Sequence, residues 1–408
     1  MKITLLTNEY PPHIYGGAGV HVEYLTRELS SLNDGINDIS VLCFGDQKAH
    51  SDNFSVEGIN LNFSFPYRND RHRKLLDTLF RNIMMVGSVK GADIVHCHTW
   101  YTHLAGCLVK QMFRVPLVIT VHSLEPQRPW KEEQLGSAYR ASTWLERTAL
   151  ENADGVIAVS ESMRLAIHEL HDIPFEKIRM IPNGIDVSRY KKRPNPEILL
   201  SYNINPDNPF ILFVGRITRQ KGVFHLLNAV RYLAPDIQVV LIAADPDTDE
   251  IEREMTDRVR KARTETSHEI IWINRFIPRD DLISIYSHAS IFVCPSIYEP
   301  FGLINLEAMA CETPVVASAV GGIMEVVVNG ETGLTVSFEP KGADNPEPRH
   351  PEQFSENLAA AINSLLGSPE TMKAMGLKSR ERVVTQYSWR TIAQQTLNFY
   401  RELVQQKK

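Results

Sequence analysis

The sequence predicts an α/β protein of two domains, each built on a parallel sheet flanked by helices. Three observations carry this. Short apolar runs alternate with longer segments of helical spacing along nearly the whole chain. The first run, residues 3–6, passes into a glycine loop and then a helix. A polar, proline-bearing stretch near the middle is followed by a fresh start of the same alternation at residues 210–214.

Taken in order, residues 3–6 lead through Asn8-Glu9-Tyr10-Pro11-Pro12 into Tyr15-Gly16-Gly17-Ala18-Gly19. Val22, Leu25, Leu29 and Leu32 then repeat at helical spacing. The spacing of the glycines is not G-x-G-x-x-G, so a loop facing a sugar or phosphate fits better than a dinucleotide site. Further strands are predicted at 39–44, 93–97, 116–121, 155–159 and 178–181. The run at 93–97 leads into His96-Cys97-His98-Thr99-Trp100, with His103 close behind. No carboxylate or cysteine completes a ligand spacing there, so His96 and His98 are expected on the polar rim of a cleft, without a metal. The run at 116–121 ends in His122-Ser123-Leu124-Glu125, at the strand edge where open α/β sheets place ligands.

Residues 183–209, with Pro194, Pro196, Asn203, Asn205, Pro206 and Asn208, read as the linker between domains 1–190 and 205–387. The second domain has predicted strands at 210–214, 238–243, 270–273, 291–295, 314–317 and 333–336. Helices are expected at 223–233, 251–264, 280–288 and after Gly302, and three more close the chain at 352–366, 370–386 and 389–404. The loop 339–351, rich in Pro, Gly and charge, is expected to be mobile.

Two stretches of the second domain carry chemistry. The strand at 210–214 runs into Gly215-Arg216-Ile217-Thr218-Arg219-Gln220-Lys221-Gly222, a glycine followed by cations at a helix start. That order suits a diphosphate, since Arg bridges two phosphate oxygens and Lys adds a mobile charge. It is not G-x-x-x-x-G-K-[ST], so a P-loop is excluded. The strand at 291–295 runs into Tyr298-Glu299-Pro300-Phe301-Gly302-Leu303, which sets Glu299 and Glu307 eight residues apart around a helix N-terminus. Asp245-Pro246-Asp247 follows another strand and is read as a turn. With His122 from the other half, these groups all fall near strand C-termini, so two facing domains would gather them in one cleft.

Composition narrows the function. A net charge of −6 offers no basic face for nucleic acid. The five cysteines are scattered without a C-x-x-C pair and fit buried thiols. No stretch approaches the length of a membrane span, and the opening residues read as a strand, so a cytoplasmic location is expected.

The glutamate pair inside E-P-F-G-L, together with Gly215, Arg216 and Lys221, resembles the retaining glycosyltransferases of family four. The resemblance spans essentially the whole chain. It is nearest to the actinobacterial-type glycogen synthases and maltose-1-phosphate synthases, through residues 10–12, 15–21, 98–101 and 122–131. It implies the GT-B architecture: two facing Rossmann-like domains, with the helix in 388–408 crossing back to the first. Arg216 and Lys221 would then hold the donor diphosphate. Glu299 would contact the donor sugar beside the backbone of Phe301, Gly302 and Leu303, and Glu307 the ribose. His122 would lie over the sugar near the reacting carbon, with Asn183 and His98 lining its site. Tyr15, Gly16 and Gly17 would close a loop over the phosphate. The larger bacterial glycogen synthases carry a lysine where this chain has Ile14, so that lysine's role does not carry over.

The resemblance implies transfer of glucose from ADP-glucose to an α-1,4-glucan, without cofactor or metal. Alternatives are maltose 1-phosphate synthesis with glucose 1-phosphate as acceptor, or a nucleotide-sugar epimerase of the same fold. Arg128, Trp130 and Lys131, in a stretch that also holds Tyr139, Arg140 and Trp144, are candidate acceptor contacts: aromatic faces for sugars, cations for a phosphate. Tyr139 and Trp144 could equally be helix core, and Lys131 a solvated cap.

Overall fold

In the computed structural model, β1 (Lys2–Thr7) pairs in parallel with β2 (Asp38–Phe44) on one side and lies in a sheet of eight strands. The structure describes residues 1–32, 37–63, 70–342 and 345–407. The sheet continues through β3 (Lys48–Ser51), β4 (Phe54–Ile59), β5 (Ile94–His98), β6 (Leu117–Val121), β7 (Gly155–Ala158) and β8 (Ile178–Met180). Their order is β3-β4-β2-β1-β5-β6-β7-β8, and β3 alone runs antiparallel to its neighbour. Every residue of β5, β6 and β7 is buried, as expected of parallel strands covered on both faces.

Chain direction across the sheet reverses between β1 and β5, the position at which α/β sheets open a crevice at their strand C-termini. The second sheet contains β9 (Phe210–Arg216), β10 (Gln238–Ala244), β11 (Ile270–Ile273), β12 (Ile291–Cys294), β13 (Val315–Ser318) and β14 (Gly333–Val336). All are parallel, in the order β11-β10-β9-β12-β13-β14, with the same reversal between β9 and β12. Both sheets are Rossmann-like.

The chain divides into two units, Met1–Gly184 with Trp389–Lys408, and Ile185–Ser388. The terminal helix Trp389–Gln406 thus belongs to the first unit. Trp389, Ile392, Leu397, Tyr400 and Leu403 are buried in one core with Leu5, Leu25 and Val41. Trp389 stacks on Tyr24 with ring centroids 5.7 Å apart, and Tyr400 hydroxyl bonds His96 Nδ1. Each large apolar side chain buried this way contributes about 1.5–3 kcal/mol, which is why a C-terminal segment holds to a sheet whose strands all lie far upstream in the chain.

Four expectations are corrected. The polar stretch expected as a linker up to 209 begins the second unit at Ile185. Tyr190 hydroxyl donates to Glu307 at 3.0 Å, and Pro196–Ser201 is a helix, capped by Asn195, whose neighbour Tyr202 bonds Asp281 at 2.7 Å. The first unit has two strands that the sequence does not announce: β3 is exposed throughout, and β4 carries Glu57 and Gly58, so neither has a strong apolar pattern. The loop expected to be mobile holds a hairpin of β15 (Pro340–Gly342) and β16 (Asn345–Pro348). It is tied down by Glu347 against His225 at 3.3 Å; residues 343–344 lie outside the described residues. The predicted helix 223–233 ends at Ala229 and tightens into a single 3-10 turn at Val230–Tyr232.

Candidate active site

In the second unit the site is built on the loops after β9 and β12. Glu299 is 7% exposed, and its Oε2 accepts from Lys221 Nζ at 2.6 Å and from Ser296 Oγ at 3.4 Å. Lys221 closes the single turn Arg219–Lys221, capped by Thr218 Oγ1. Gly222 follows with φ +65°, and a Cβ there would overlap the Pro295 carbonyl oxygen, so only glycine lets this turn press against the end of β12. Ile297 N–H donates to Gln220 carbonyl at 3.0 Å and completes the join. Burial pulls the Lys221 pKa down, but the charge and hydrogen bond of Glu299 act against it and the net shift is upward, so Lys221 is held as an ammonium.

Glu299 is gripped from a second side by a feature that the sequence reading passes over, Gly321-Gly322. Gly322 N–H donates to Glu299 carbonyl at 3.0 Å. Gly321 has φ +49°, and a Cβ on it would strike the same carbonyl oxygen. The available signal is a glycine pair directly after an apolar strand. Gly302, at φ +102°, caps the helix Leu303–Ala310. Phe301 is buried, with its ring against Tyr387, while Leu303 is half-buried. Glu307, in the second turn of that helix, accepts from Tyr190 and Tyr286 hydroxyls at 3.0 and 3.1 Å. Its carboxyl pKa is raised by burial, against the pull of both hydroxyls.

The strand expected at 210–214 extends through Gly215 and Arg216, which end β9, and Arg216 is not a free cation. Its Nε donates to Asp245 Oδ2 at 2.8 Å and its Nη2 to Asp247 Oδ1 at 2.9 Å. Asp245-Pro246-Asp247 is therefore more than a solvated turn: β10 runs beside β9 with Ala244 opposite Arg216, which brings the two carboxylates to the guanidinium.

In the first unit, His98 closes β5, His122 follows β6, Asn183 follows β8, and His21 comes from the helix Gly17–Ser31. His21 Nδ1 donates to Asn183 Oδ1 at 2.6 Å, and His98 Nδ1 lies 3.0 Å from His122 Nε2. The ligand-capable atoms of His21, His98 and His122 all fall within 4.8 Å of one another, the one such group of three among the described residues. Burial holds the imidazoles well below their ordinary pKa, His21 down to about 4, so all three are neutral at pH 7. The expected polar rim is corrected. His96 and His98 are fully buried, and both nitrogens of His96 are bonded, to Tyr400 and Thr120, while His122 is half-buried.

Tyr15, Gly16 and Gly17 lie exposed at the start of the Gly17–Ser31 helix. Tyr15 and Gly16 N–H groups both donate to Glu9 Oε2 at 2.9 Å, a second contact that the sequence does not show. Glu9 sits just past the end of β1, so it fixes the glycine loop to the sheet.

The acceptor candidates cluster beyond β6. Lys131 is not a solvated cap: it is 6% exposed, and its Nζ donates to buried Glu125 at 2.6 Å. Arg128 Nη1 donates to Ser123 Oγ at 3.1 Å and lies 3.8 Å from Glu125. Lys74 and Lys131 ammoniums lie 5.8 and 6.0 Å from the centre of the Tyr101 ring. Burial, then the charges of Arg128 and Lys74, bring the Lys131 pKa down to about 8 against the pull of Glu125. Trp130 is half-buried; Tyr139 donates to Glu125 carbonyl, whereas Trp144 is 63% exposed and so is not helix core.

The chain is 42% identical to alpha-maltose-1-phosphate synthase of Mycolicibacterium smegmatis, an alignment covering 99% of this chain and 100% of that one. It is a family-four glycosyltransferase. Two family descriptions match, Glycosyltransferase Family 4 over residues 15–189 and Glycosyl transferases group 1 over residues 195–345. A glycogen synthase of Mycobacterium tuberculosis is 29% identical, over 98% of this glycosyltransferase and 94% of the relative. Among solved structures, sucrose-phosphate synthase from Thermosynechococcus elongatus superposes with a TM-score of 0.78 at 26% identity, covering 98% of each chain. The glycosyltransferase has the GT-B fold and is a hexosyltransferase. Among its described residues, no helix is long and apolar enough to cross a membrane.

Proposed function

We propose that this glycosyltransferase moves glucose from a nucleotide-glucose, ADP-glucose being the expected donor, to glucose 1-phosphate, with retention at the anomeric carbon. The product is maltose 1-phosphate. The observation that carries the acceptor is the cluster around Lys131. Two cations, Arg128 and Lys131, share one buried carboxylate, Glu125, and the charges of Arg128 and of Lys74, which lies with Lys131 by the Tyr101 ring, help to depress Lys131. A phosphate dianion relieves that repulsion through charge-assisted contacts, which a neutral glucan cannot do. The likeness to maltose-1-phosphate synthase over both full lengths supports the same reading.

In this reading the second unit holds the donor. Lys221, kept charged and oriented by Glu299, meets the negative charge that develops on the departing diphosphate, as does Arg216. Glu299 also accepts from hydroxyls of the donor sugar, and Glu307 from the ribose; Gly215 and the backbone of Phe301, Gly302 and Leu303 lie alongside. The bond from the anomeric carbon to the diphosphate oxygen breaks. The acceptor hydroxyl bonds to the same carbon on the same face, and its proton passes to the diphosphate oxygen. His122, neutral and steadied by His98, can accept from a sugar hydroxyl without adding positive charge beside the forming oxocarbenium. Asn183, through His21, fixes the orientation of that cluster.

Elongation of an α-1,4-glucan is the second reading. It is favoured by the glycogen synthase relative and by Trp144, whose exposed ring offers a stacking face for sugars. The test is a pair of variants. Arg128→Ala and Lys74→Ala are expected to raise KM for glucose 1-phosphate about tenfold or more with the donor KM unchanged. Unchanged acceptor KM in both would refute the phosphate site.

A further inference from the structure

Asp245 and Asp247 have no part in the reaction as described so far, yet they hold the one arginine assigned to the donor phosphates. We propose that they are positioning residues: a two-carboxylate clamp that fixes one edge of the Arg216 guanidinium and turns the other edge toward the departing diphosphate. This rests on the reading of Arg216 as a cation that meets the leaving group.

The clamp is built rather than incidental. Asp245 and Asp247 take Nε and Nη2 of Arg216, adjacent donors on one edge of the planar group. Guanidinium carries five N–H donors, so the hydrogens of Nη1 and the second of Nη2 remain for a phosphate. The two loops are stitched by their backbones. Ile217 N–H donates to Ala244 carbonyl at 3.0 Å and Asp247 N–H to Ile217 carbonyl at 3.3 Å. Asp245 is held at φ +58°, a conformation costly for a residue with a Cβ. Thr248 then caps the helix Asp249–Glu265, which anchors the far end of the loop. Asp247 has a side chain only 8% exposed, against 41% for Asp245, so Asp247 is the firmer jaw.

Two carboxylates against one guanidinium weaken its attraction for any incoming anion. The clamp therefore opposes ground-state binding, and its benefit lies in holding the cation still where charge develops during transfer. This gives a kinetic signature that a mere brace for the loop lacks. Asp247→Asn should lower kcat about tenfold or more. The same variant should bind ADP at least as tightly as the parent, because one opposing charge is gone.

The experiment measures kcat by nucleoside diphosphate release, ADP affinity by calorimetry and the melting temperature, for Asp247→Asn, Arg216→Lys and the double variant. The clamp predicts reduced kcat with undiminished ADP affinity in Asp247→Asn, and no further loss when that change is added to Arg216→Lys. Weaker ADP binding together with a lower melting temperature would make Asp247 a structural brace and overturn the proposal. So would unchanged or increased kcat in Asp247→Asn while Arg216→Lys is impaired. Full turnover in Arg216→Lys and in Arg216→Ala would instead remove the underlying reading of Arg216.

Discussion

Replacing Lys221 with Met removes the ammonium and keeps most of the stem, which isolates the pair with Glu299. At 2.6 Å and an effective dielectric of about 20, the Coulomb attraction is roughly 6 kcal/mol before desolvation is counted. The side chains are 21% and 9% exposed, so part of that is screened and part is offset by desolvation, leaving a net coupling of about 2–3 kcal/mol. Lys221→Met alone leaves the Glu299 carboxylate with Ser296 Oγ at 3.4 Å as its remaining side-chain donor, and is expected to cost about 3 kcal/mol. Made in a Glu299→Gln background, the same substitution should cost under about 1 kcal/mol. Urea unfolding of the parent, both single variants and the double variant gives the coupling directly. A value below about 0.5 kcal/mol would refute the claim that this ion pair organises the two loops.

Two further outcomes follow from the first unit. His21 and His103 have pKa values depressed by burial to about 4 and about 3, so between about pH 4 and 6.5 the unfolded chain binds protons that the folded one does not. Stability therefore rises with pH across that window, and at pH 5.5 each histidine should cost about 1.4 kcal/mol relative to pH 7.5; a urea midpoint that stays flat between those values would contradict the burial. Truncation after Ser388 removes Trp389, Ile392, Leu397, Tyr400 and Leu403 from the core and is expected to unfold the first unit at 25 °C, since these five contribute about 1.5–3 kcal/mol each. Retention of the parent melting profile would show that the helix is dispensable.

Strand alternation and the glycine loops were legible because parallel strands buried on both faces leave unbroken apolar runs, such as Leu117–Val121. The same rule hides the edge strand β3 and its neighbour β4, both with little apolar pattern, and the hairpin of β15 and β16. Candidate site residues fall at strand ends, where the sequence puts them: Glu299, Lys221, His98 and His122. Their partners were not legible. The pairing of Arg216 with Asp245 and Asp247 depends on the register of β9 against β10, and that of His21 with Asn183 joins residues 162 apart. Arg128 and Lys131 were visible as a basic stretch, but Lys74, the third cation, lies on a different helix. Local sequence gives the chemistry of a group; charge state and orientation come from neighbours that only the fold supplies.

The account is tested most directly by following ADP release from ADP-glucose with glucose 1-phosphate or glycogen as sole acceptor, and by identifying the product and its anomeric configuration by NMR. The account predicts much the higher kcat/KM with glucose 1-phosphate, and an α-linked maltose 1-phosphate as product. Faster turnover on glycogen, or a β-linked product, would contradict it.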